Sequence, residues 1–334
     1  MTSTEGALYL SNEVIIRRNL DVTNEEFEYH LEALGAVPVD VSNTAHERLM
    51  LPNSVTADEA VSYLMSMGAV ESAERNYVIH VTATPNDPSY SQLWGMPAIA
   101  AEAAWDLSTG SHDVLVAVSD SGVDYNHPDL VDNVWTNPNE IPDNGIDDDN
   151  NGYVDDVYGW DWVSNDNDPM DDNSHGTHCA GTIGATGNNG VGVAGVSWKV
   201  RIAALKFLSA SGSGSLWGGT QSILYAAAIG ADVLNASWGC SGCNTTYIEE
   251  AIEEFGAQGG VFVAAAGNDA TNNDTRPFYP AGHSNDNLVA VAATQNGGGL
   301  AWFSNYGVKT VHVAAPGHSI YSTMPGGGYA SKSG

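Results

Sequence analysis

One histidine-containing segment has the residue types needed for proton transfer. Residues 173–184 read Asn-Ser-His-Gly-Thr-His-Cys-Ala-Gly-Thr-Ile-Gly. Asn173 and Ser174 are types that cap helices, and the small residues that follow allow close helix packing. An imidazole changes its charge near neutral pH, so His175 at the exposed start of this helix could move protons. By itself the pattern is equally typical of a capped helix or of half a metal site.

Two further polar residues stand at the ends of apolar runs. Residues 114–119 are apolar and β-rich and lead into Asp120, and residues 261–267 lead into Asn268. Open α/β sheets place their chemistry at the carboxyl ends of strands. A carboxylate there can hold a histidine in the correct tautomer, and an amide donor can stabilise an oxyanion.

Asp120, His175 and Asn268, each within its own local motif, together resemble the subtilisin-like serine proteases. The thermitase-like branch is indicated by Cys179 after His-Gly-Thr-His and by Asn-Asp-Pro at residues 86–88. The resemblance implies a serine endopeptidase that hydrolyses protein or peptide substrates through an acyl-enzyme. In such an enzyme, Asp120 would orient the imidazole of His175, which would be the general base. Asn268 would donate a hydrogen bond to the oxyanion.

The nucleophile of this family lies in a Gly-Thr-Ser-Met-Ala segment. Residues 329–334 read Tyr-Ala-Ser-Lys-Ser-Gly and stop before the matching serine, so neither Ser331 nor Ser333 is expected to be the nucleophile. We therefore expect a chain truncated before its nucleophile and inactive as it stands. The alternative from another class is a non-catalytic, calcium-dependent peptide-binding protein that kept the cleft without the serine.

Residues 1–83 have a different pattern from residues 84–334. Strands are predicted at 13–17, 36–41, 46–51 and 70–81, and capped helices at 23–34 and 56–67. The order β-α-β-β-α-β indicates a small ferredoxin-like α+β domain. The resemblance implies an intramolecular inhibitory prodomain, with residues 77–83 lying in the substrate cleft and cleavage near residues 82–85. The alternative is a small accessory domain.

The second domain, residues 84–334, alternates apolar strands with helices, which predicts an α/β fold with a parallel sheet and helices on both faces. In the family this is the subtilisin-like sheet. Strands are predicted at 114–120, 200–207, 231–237, 260–266, 288–294, 311–315 and 319–322, and helices at 99–107, 174–184, 216–229 and 245–258.

Charge and cysteine content narrow the possible partners. Against 10 Lys and Arg, the 41 Asp and Glu give a formal net charge of −31 over 334 residues. This charge argues against binding to nucleic acid or anionic membranes and favours bound cations. Neither a secretory signal nor a membrane span is expected from the sequence, although the family implies an extracellular or cell-surface protein. Cys240 and Cys243 could pair or stay free, and structural zinc is not expected.

Residues 139–172 contain twelve acidic residues and no Lys or Arg. Interleaved aromatic residues favour a packed loop, in which a divalent cation would relieve the repulsion between carboxylates. The segment from Asp147 resembles the start of an EF-hand loop, but Tyr158 stands where the bidentate Glu would be, so a full EF-hand is not expected. The candidate ligands are Asp147, Asp149, Asn151, the carbonyl of Tyr153, and Asp156 or Asp155.

The resemblance implies two further calcium sites. The first would use the side chains of Asp87, Asp129 and Asn189 and the carbonyls of Thr186, Val191 and Val193. The second would use Asp161, Asp166 and Asp168, although Ser164 stands where relatives can carry a carboxylate.

The resemblance also implies that a peptide substrate adds as a strand between two backbone edges. The matching candidates are Ser211, Gly212, Ser213 and Gly214 on one side and Ser237, Trp238 and Gly239 on the other. Glycines suit this role because two backbones must approach closely. The first stretch reads nearly as well as an ordinary turn. Three residues after His175, His178 is expected to be buried and hydrogen-bonded.

Overall fold

The computed structural model describes residues 2–4, 7–41, 46–78 and 84–334. The chain separates into two compact units, residues 1–81 and 82–334, which divides it two residues before the predicted boundary. Each unit has its own buried core. Within the described residues, no helix has the length and apolar character needed to cross a membrane.

The N-terminal unit is a sheet with two helices. Its elements are β1 (Thr2–Thr4), β2 (Ala7–Arg18), α1 (Asn24–Leu34), β3 (Val37–Val41), β4 (His46–Met50), α2 (Ala57–Ser66) and β5 (Val70–Tyr77). All strand pairs are antiparallel, with β5, β2, β4 and β3 side by side and β1 paired with the beginning of β2. Apart from the additional β1, this is the predicted β-α-β-β-α-β order. Residues 79–83 of the predicted inhibitory tail lie outside the described residues.

Local sequence signals begin both helices of this unit. Thr23 Oγ1 accepts a hydrogen bond from the N–H of Glu26, and Thr56 and Glu59 form a capping box. Phe27 and Leu31 lie four residues apart on one face of α1 and are buried. This spacing places apolar side chains on the face that packs against the sheet.

The second unit contains a seven-stranded sheet in the order β14-β13-β11-β9-β6-β8-β7, in which every pair is parallel. Its strands are β6 (Gly110–Asp120), β7 (Gly159–Asp161), β8 (Lys199–Lys206), β9 (Val233–Ala236), β11 (Val261–Ala265), β13 (Leu288–Thr294) and β14 (Val313–Pro316). The predicted α/β fold with a parallel sheet is confirmed. The sequence prediction missed β7, which has three residues and lies inside the acidic segment.

Helices and short antiparallel strands complete this unit. They are α3 (Gly95–Ala98), α4 (Ala101–Trp105), α5 (His175–Gly184), α6 (Leu216–Ala228), α7 (Thr246–Ala257), β10 (Cys240–Ser241), β12 (Phe278–Tyr279), β15 (Ile320–Met324) and β16 (Gly328–Lys332). The short strands β10, β12 and β16 were not predicted. Strands β10 and β12 pair antiparallel, as do β15 and β16.

The alternation of side chains along β6 separates the two cores of the sheet. Leu115 and Ala117 belong to the core that includes residues of α6 and α7, whereas Val116 and Val118 belong to the core that includes Ala180 of α5. Successive residues of a strand point to opposite faces. A stretch of strand that is buried on both faces is therefore continuously apolar, as residues 115–118 of β6 are.

Candidate active site

The carboxyl end of β6 brings Asp120 into contact with His175. Asp120 is the last residue of β6 and is fully buried. Nδ1 of His175 lies 2.7 Å from Oδ1 and 2.9 Å from Oδ2 of Asp120. A neutral imidazole that donates from Nδ1 keeps a lone pair on Nε2, which can accept a proton. The pair can therefore act as a base whose tautomer is fixed by the carboxylate.

The capping of α5 differs from the sequence prediction. Ser174 is the N-cap residue, but its backbone is left-handed (φ 88°) and its side chain makes no capping hydrogen bond. The side chain of Asn173 donates to a backbone carbonyl elsewhere. Instead, the buried carboxylate of Asp171 accepts hydrogen bonds from the N–H groups of Ser174 and Thr177. The predicted helix start is therefore confirmed at Ser174, but capping by the side chain of Asn173 or Ser174 is wrong, because the carboxylate of Asp171 accepts these N–H groups instead.

Gly176 allows the helix to begin close to Asp120. A Cβ atom at this position would collide with the carbonyl oxygen of Gly122 and would lie 3.1 Å from Cβ of Asp120. The first turn of α5 therefore packs directly on the loop after β6. This close approach places His175, one residue earlier, within hydrogen-bonding distance of the carboxylate.

Cys179 is a second neighbour of the His175 imidazole. Its sulfur lies 4.0 Å from Nδ1 of His175, one turn further along α5. The electrostatic influence of this sulfur, together with the hydrogen bond to Asp120, raises the pKa of His175 well above its ordinary value. Burial acts in the opposite direction but is the weaker effect. The sequence pattern gave no indication that Cys179 affects the pKa of His175.

Asn268 lies at the end of β11 in a loop held by buried amides. Asn305, which is fully buried, accepts hydrogen bonds from the N–H groups of Asp269 and Thr271 and donates to the carbonyl of Ala266. The side chain of Asn268 is itself exposed. Its amide is therefore available as a hydrogen-bond donor. Nothing in the sequence pattern indicated the supporting role of Asn305.

A single cavity of about 570 Å³ joins these groups. His175 and Asn268 both line it, with Ser237 and side chains of β11 and β13. Ser333 also lines this cavity, but its hydroxyl accepts a hydrogen bond from the N–H of Ser319. The cavity can hold a carbonyl group between a proton acceptor and an amide donor.

A second cavity of about 490 Å³ adjoins the predicted substrate edges. Gly212, Ser213, Gly214, Trp238 and Gly239 all line it. Its apolar walls include Phe207, whose ring packs edge-on against Trp238 at a centroid distance of 4.9 Å. Ser211 and Ser237 are not among the residues that line this space, although Ser237 lines the first cavity.

Residues 209–213 form a turn and not a regular edge strand. The N–H of Ser209 donates to the carbonyl of Ser213, and Gly212 has a left-handed backbone (φ 76°). Only an isolated bridge between Leu208 and Gly214 follows. The turn, which the sequence left open as an alternative, is therefore the observed conformation of this stretch.

His178 and the cysteine pair have structural contacts. Nε2 of His178 lies 2.9 Å from the carbonyl oxygen of Ile320 and 3.2 Å from that of Ala330, so this nitrogen donates. Burial lowers the pKa of His178, which keeps the imidazole neutral. The expected buried and hydrogen-bonded His178 is thus confirmed.

Cys240 and Cys243 form a disulfide, one of the two alternatives that the sequence left open.

Asp87 and Asp129 form a buried pair of carboxylates. They are 4% and 0% exposed, and burial raises the pKa of both. Asn189 and the N–H of Val193 donate to Asp129, but Oδ1 of Asp87 is buried without a hydrogen-bond partner. The hydroxyl of Thr186 is likewise buried without a partner. A buried, unsatisfied carboxylate oxygen beside a second carboxylate fits a hard cation.

The acidic segment brings together a partly different set of carboxylates from the predicted one. Ligand atoms of Glu140, Asp147 and Asp149 lie within 4.8 Å of one another. Asp147 and Asp149 both accept from the N–H of Asn151, as in a tight metal-binding loop. Asp156 is fully buried and accepts from the amide of Asn151. Glu140, which lies seven residues before Asp147 in an irregular loop, was not among the predicted ligands.

The ring of Tyr153 packs the same loop onto the core. Its centroid lies 5.0 Å from that of Trp160 and 5.1 Å from that of Tyr225, in edge-to-face geometry. The predicted packed state of the acidic segment therefore agrees with the structure.

Asp161, Asp166 and Asp168 are less closely grouped. Asp161 is buried, and its Oδ1 accepts from the N–H groups of Val163 and Ser164. Asp168 accepts instead from the hydroxyl of Tyr125. In the described part of the chain these three carboxylates do not form a set with ligand atoms within 4.8 Å of one another. The structure therefore offers less support for this cation site than for the one at Asp87 and Asp129.

The fold and the site together define the subtilisin-like class of α/β proteins, and comparisons with known proteins agree. A model of the subtilase family, the peptidase S8 family, matches residues 111–334. This chain is 38% identical to the thermophilic serine proteinase of Bacillus sp. strain AK1 over 99% of this chain and 76% of that protein. It is 41% identical to thermitase from Thermoactinomyces vulgaris over 75% of this chain and 80% of that protein.

A solved protease structure from Pseudoalteromonas arctica superposes with a TM-score of 0.60 at 30% identity, covering 75% of this chain and 82% of that one. The chain belongs to the subtilase family of serine proteases.

Proposed function

We propose that this protein is a calcium-stabilised serine endopeptidase precursor that cleaves protein or peptide substrates through an acyl-enzyme. The observation that carries the proposal is the hydrogen bond from His175 to buried Asp120 in a cavity that also presents Asn268. Asp120 holds Nδ1 of His175, which leaves Nε2 to take a proton from a serine hydroxyl and to return it to the leaving amine. The amide of Asn268 donates to the oxyanion.

The nucleophilic hydroxyl is not assigned to any residue in 1–334. The family resemblance implies a serine in a Gly-Thr-Ser segment after Gly334, and Gly334 lies beside the same cavity as His175 and Asn268. A Cβ atom built on Gly334 would lie 3.6 Å from Nδ2 of Asn268. A serine shortly after Gly334 would therefore be near both the base and the oxyanion donor.

Protein produced from the source gene past codon 334, compared with residues 1–334 alone, tests this proposal. We expect a fluorophosphonate probe to label the longer chain on one serine and peptide hydrolysis to follow, with both lost in the His175→Ala variant. The 334-residue chain is the matched control. A stop codon at position 335, together with calcium-dependent peptide binding by the 334-residue chain, would favour the non-catalytic alternative.

Calcium is the cation that the buried carboxylates support best. Oxygen ligands from Asp87, Asp129 and Asn189, with the carbonyls of Thr186, Val191 and Val193, match its preference for several hard donors. Glu140, Asp147 and Asp149 could hold a second ion. When bound, calcium would neutralise carboxylates that burial otherwise keeps at a raised pKa. Its role would be stability, because none of these residues lines the cavity at His175.

We propose that the N-terminal unit is the inhibitory prodomain and that the mature protease acts outside the cell. The 38% identity to the Bacillus proteinase extends over 99% of the chain and so includes this unit. Peptide-bond cleavage near residues 82–85 would separate the two units. An active preparation whose intact mass still contains residues 1–81 would contradict the maturation step.

A further inference from the structure

Two sets of hydrogen bonds connect the strand end that carries Asp120 with the segment that carries His175. Asp171 and Ser121 form the first: Oγ of Ser121 donates to Oδ1 of Asp171 at 2.9 Å. Both side chains are buried, with 5% and 0% of their surface exposed. Ser121 directly follows Asp120, and Asp171 lies four residues before His175. This hydrogen bond therefore joins the segment that contains Asp120 to the segment that contains His175.

Asp171 also fixes the first turn of α5. Oδ1 accepts from the N–H groups of Asn173 and Ser174, both at 2.9 Å. Oδ2 accepts from the N–H of Thr177 at 2.9 Å and from its hydroxyl at 2.6 Å. Together with Ser121, this one carboxylate makes five hydrogen bonds around the turn, which leaves the backbone on either side of His175 little freedom.

Ser121 completes the connection from the other side. Its backbone N–H donates to Oδ1 of Asp120 at 2.7 Å, and its hydroxyl accepts from the N–H of Gly176 at 3.0 Å. The residue thus contacts Asp120 and the residue after His175 at the same time. A residue that is hydrogen-bonded to both sides of the Asp120–His175 pair helps to set the distance between them.

Lys206 forms the second link. This lysine is 3% exposed, and Nζ donates to the carbonyl of Ser121 at 2.8 Å and to the carboxylate of Asp172 at 2.6 Å. Lys206 lies at the end of β8 and so contacts both the residue after Asp120 and the segment before His175. Because its cation would be left buried and unpaired in a variant of Asp172, that link is harder to test by substitution.

We infer that Ser121 and Asp171 are positioning residues that hold His175 against Asp120, in addition to the role of Asp171 as a helix cap. Neither residue lines the cavity that contains His175 and Asn268, so neither is placed to touch a substrate there. They act through the imidazole, and this inference builds on the role proposed for His175 as the base. The capping hydrogen bonds alone would stabilise α5; the bond between Ser121 and Asp171 fixes its register on β6.

Nuclear magnetic resonance of the 334-residue chain tests the inference without requiring catalysis. Histidine-labelled protein would report the titration of His175 and the low-field Nδ1 proton that donates to Asp120, assigned with a His175→Gln variant. The charged or titratable groups around His175 are Asp120 on β6, His178 and Cys179 on α5, Asp171 and Asp172 before it, and Lys332, which donates to Ser174. All of them stay present in the Ser121→Ala variant, which changes no charge.

We expect Ser121→Ala to broaden or remove the low-field proton and to lower the pKa of His175 by about 1, because the hydrogen bond to Asp120 helps to raise it. Thr177→Val, which keeps the side-chain volume but removes one donor to Asp171, should act in the same direction, and Thr177→Ser should restore the original values. The Thr177 pair keeps the test available if Ser121→Ala does not fold.

Asp274→Asn is the matched control. Asp274 accepts hydrogen bonds from the N–H groups of Val308, Lys309 and Thr310 in another part of this unit. Its substitution should lower the thermal midpoint but leave the His175 signals unchanged. If Ser121→Ala and Thr177→Val likewise lower only the midpoint, the positioning role is wrong and Asp171 is only a cap. Inactivity of the extended chain, with these signals shifted as expected, would refute the proposed function but not this inference.

Discussion

The sulfur of Cys179 and the carboxylate of Asp120 both lie near the same nitrogen, Nδ1 of His175, at 4.0 Å and 2.7 Å. One contact comes from the next turn of the same helix and the other from the end of the central strand. Both favour the protonated imidazole, whereas a general base must be neutral before it accepts a proton. The activity of the base is therefore expected to rise with pH.

Replacing Cys179 with Ala should lower the pKa of His175. The substitution removes the largest contribution to the raised pKa of His175 but leaves the hydrogen bond to Asp120 in place. In the active protein, the acidic limb of the kcat/KM profile should move to lower pH. Histidine titration by nuclear magnetic resonance measures the same change directly. An unchanged titration would mean that Cys179 does not contribute to the raised pKa of His175.

Asp120→Asn should impair catalysis far more than stability. The side-chain amide of the asparagine cannot hold the imidazole in the tautomer whose Nδ1 proton points to residue 120. The loss in kcat is expected to be on the order of 10⁴ for such a triad. Steady-state kinetics of the variant, with circular dichroism as a folding control, measures this effect. A loss below about tenfold would remove Asp120 from the proposed mechanism.

Chelation should lower the thermal midpoint by several degrees if calcium occupies the site at Asp87 and Asp129, because the two buried carboxylates would again repel each other. The difference between the thermal midpoints measured in calcium and in EDTA should be smaller for the Asp87→Asn variant than for the parent protein. It should be unchanged for the Asp274→Asn variant. A midpoint that does not respond to EDTA in the parent protein would contradict the calcium proposal.

Acid should destabilise the fold through His178. Its pKa is lowered in the folded state, so protons bind more readily to the unfolded chain. This contribution to stability is present above the unfolded pKa of about 6.5 and is lost as the pH falls below it. His178→Gln keeps an N–H donor but cannot titrate, and its urea midpoint should fall less between pH 7 and pH 5 than that of the parent.

His178→Ala should be costly at every pH. It leaves the carbonyls of Ile320 and Ala330 without their donor, for an expected loss of about 1–3 kcal/mol. Urea unfolding of the alanine and glutamine variants at pH 8 separates the lost hydrogen bond from the titration. Equal stability of the two variants would contradict the donor role.

Gly219 should control the size of the second cavity. A Cβ atom there would lie 3.3 Å from the ring of Phe207 and 3.5 Å from that of Trp238, so a small side chain fits but narrows the space. Gly219→Val should reduce kcat/KM for peptides with a large apolar residue in this cavity, with little change for matched peptides carrying Ala. Equal effects on both peptides would show that the cavity does not select side chains.

The sequence by itself determined the helices, the parallel sheet and the three polar residues, because each leaves a local signal. Apolar runs such as residues 114–119 predict buried strands, with Asp120 and Asn268 at their carboxyl ends, and His175 stands at the start of a predicted helix. The buried state of His178 followed from its helical spacing to His175.

The tertiary structure alone decided which carboxylates act together. Asp171 replaces the predicted cap residues, and Glu140 joins Asp147 and Asp149, because hydrogen bonding between distant loops leaves no periodic pattern in a sequence. The same holds for Ser121, which is adjacent to Asp120 in sequence but acts on a helix that begins more than fifty residues later. Local periodicity reports the elements, whereas side-chain contacts across loops depend on how those elements pack.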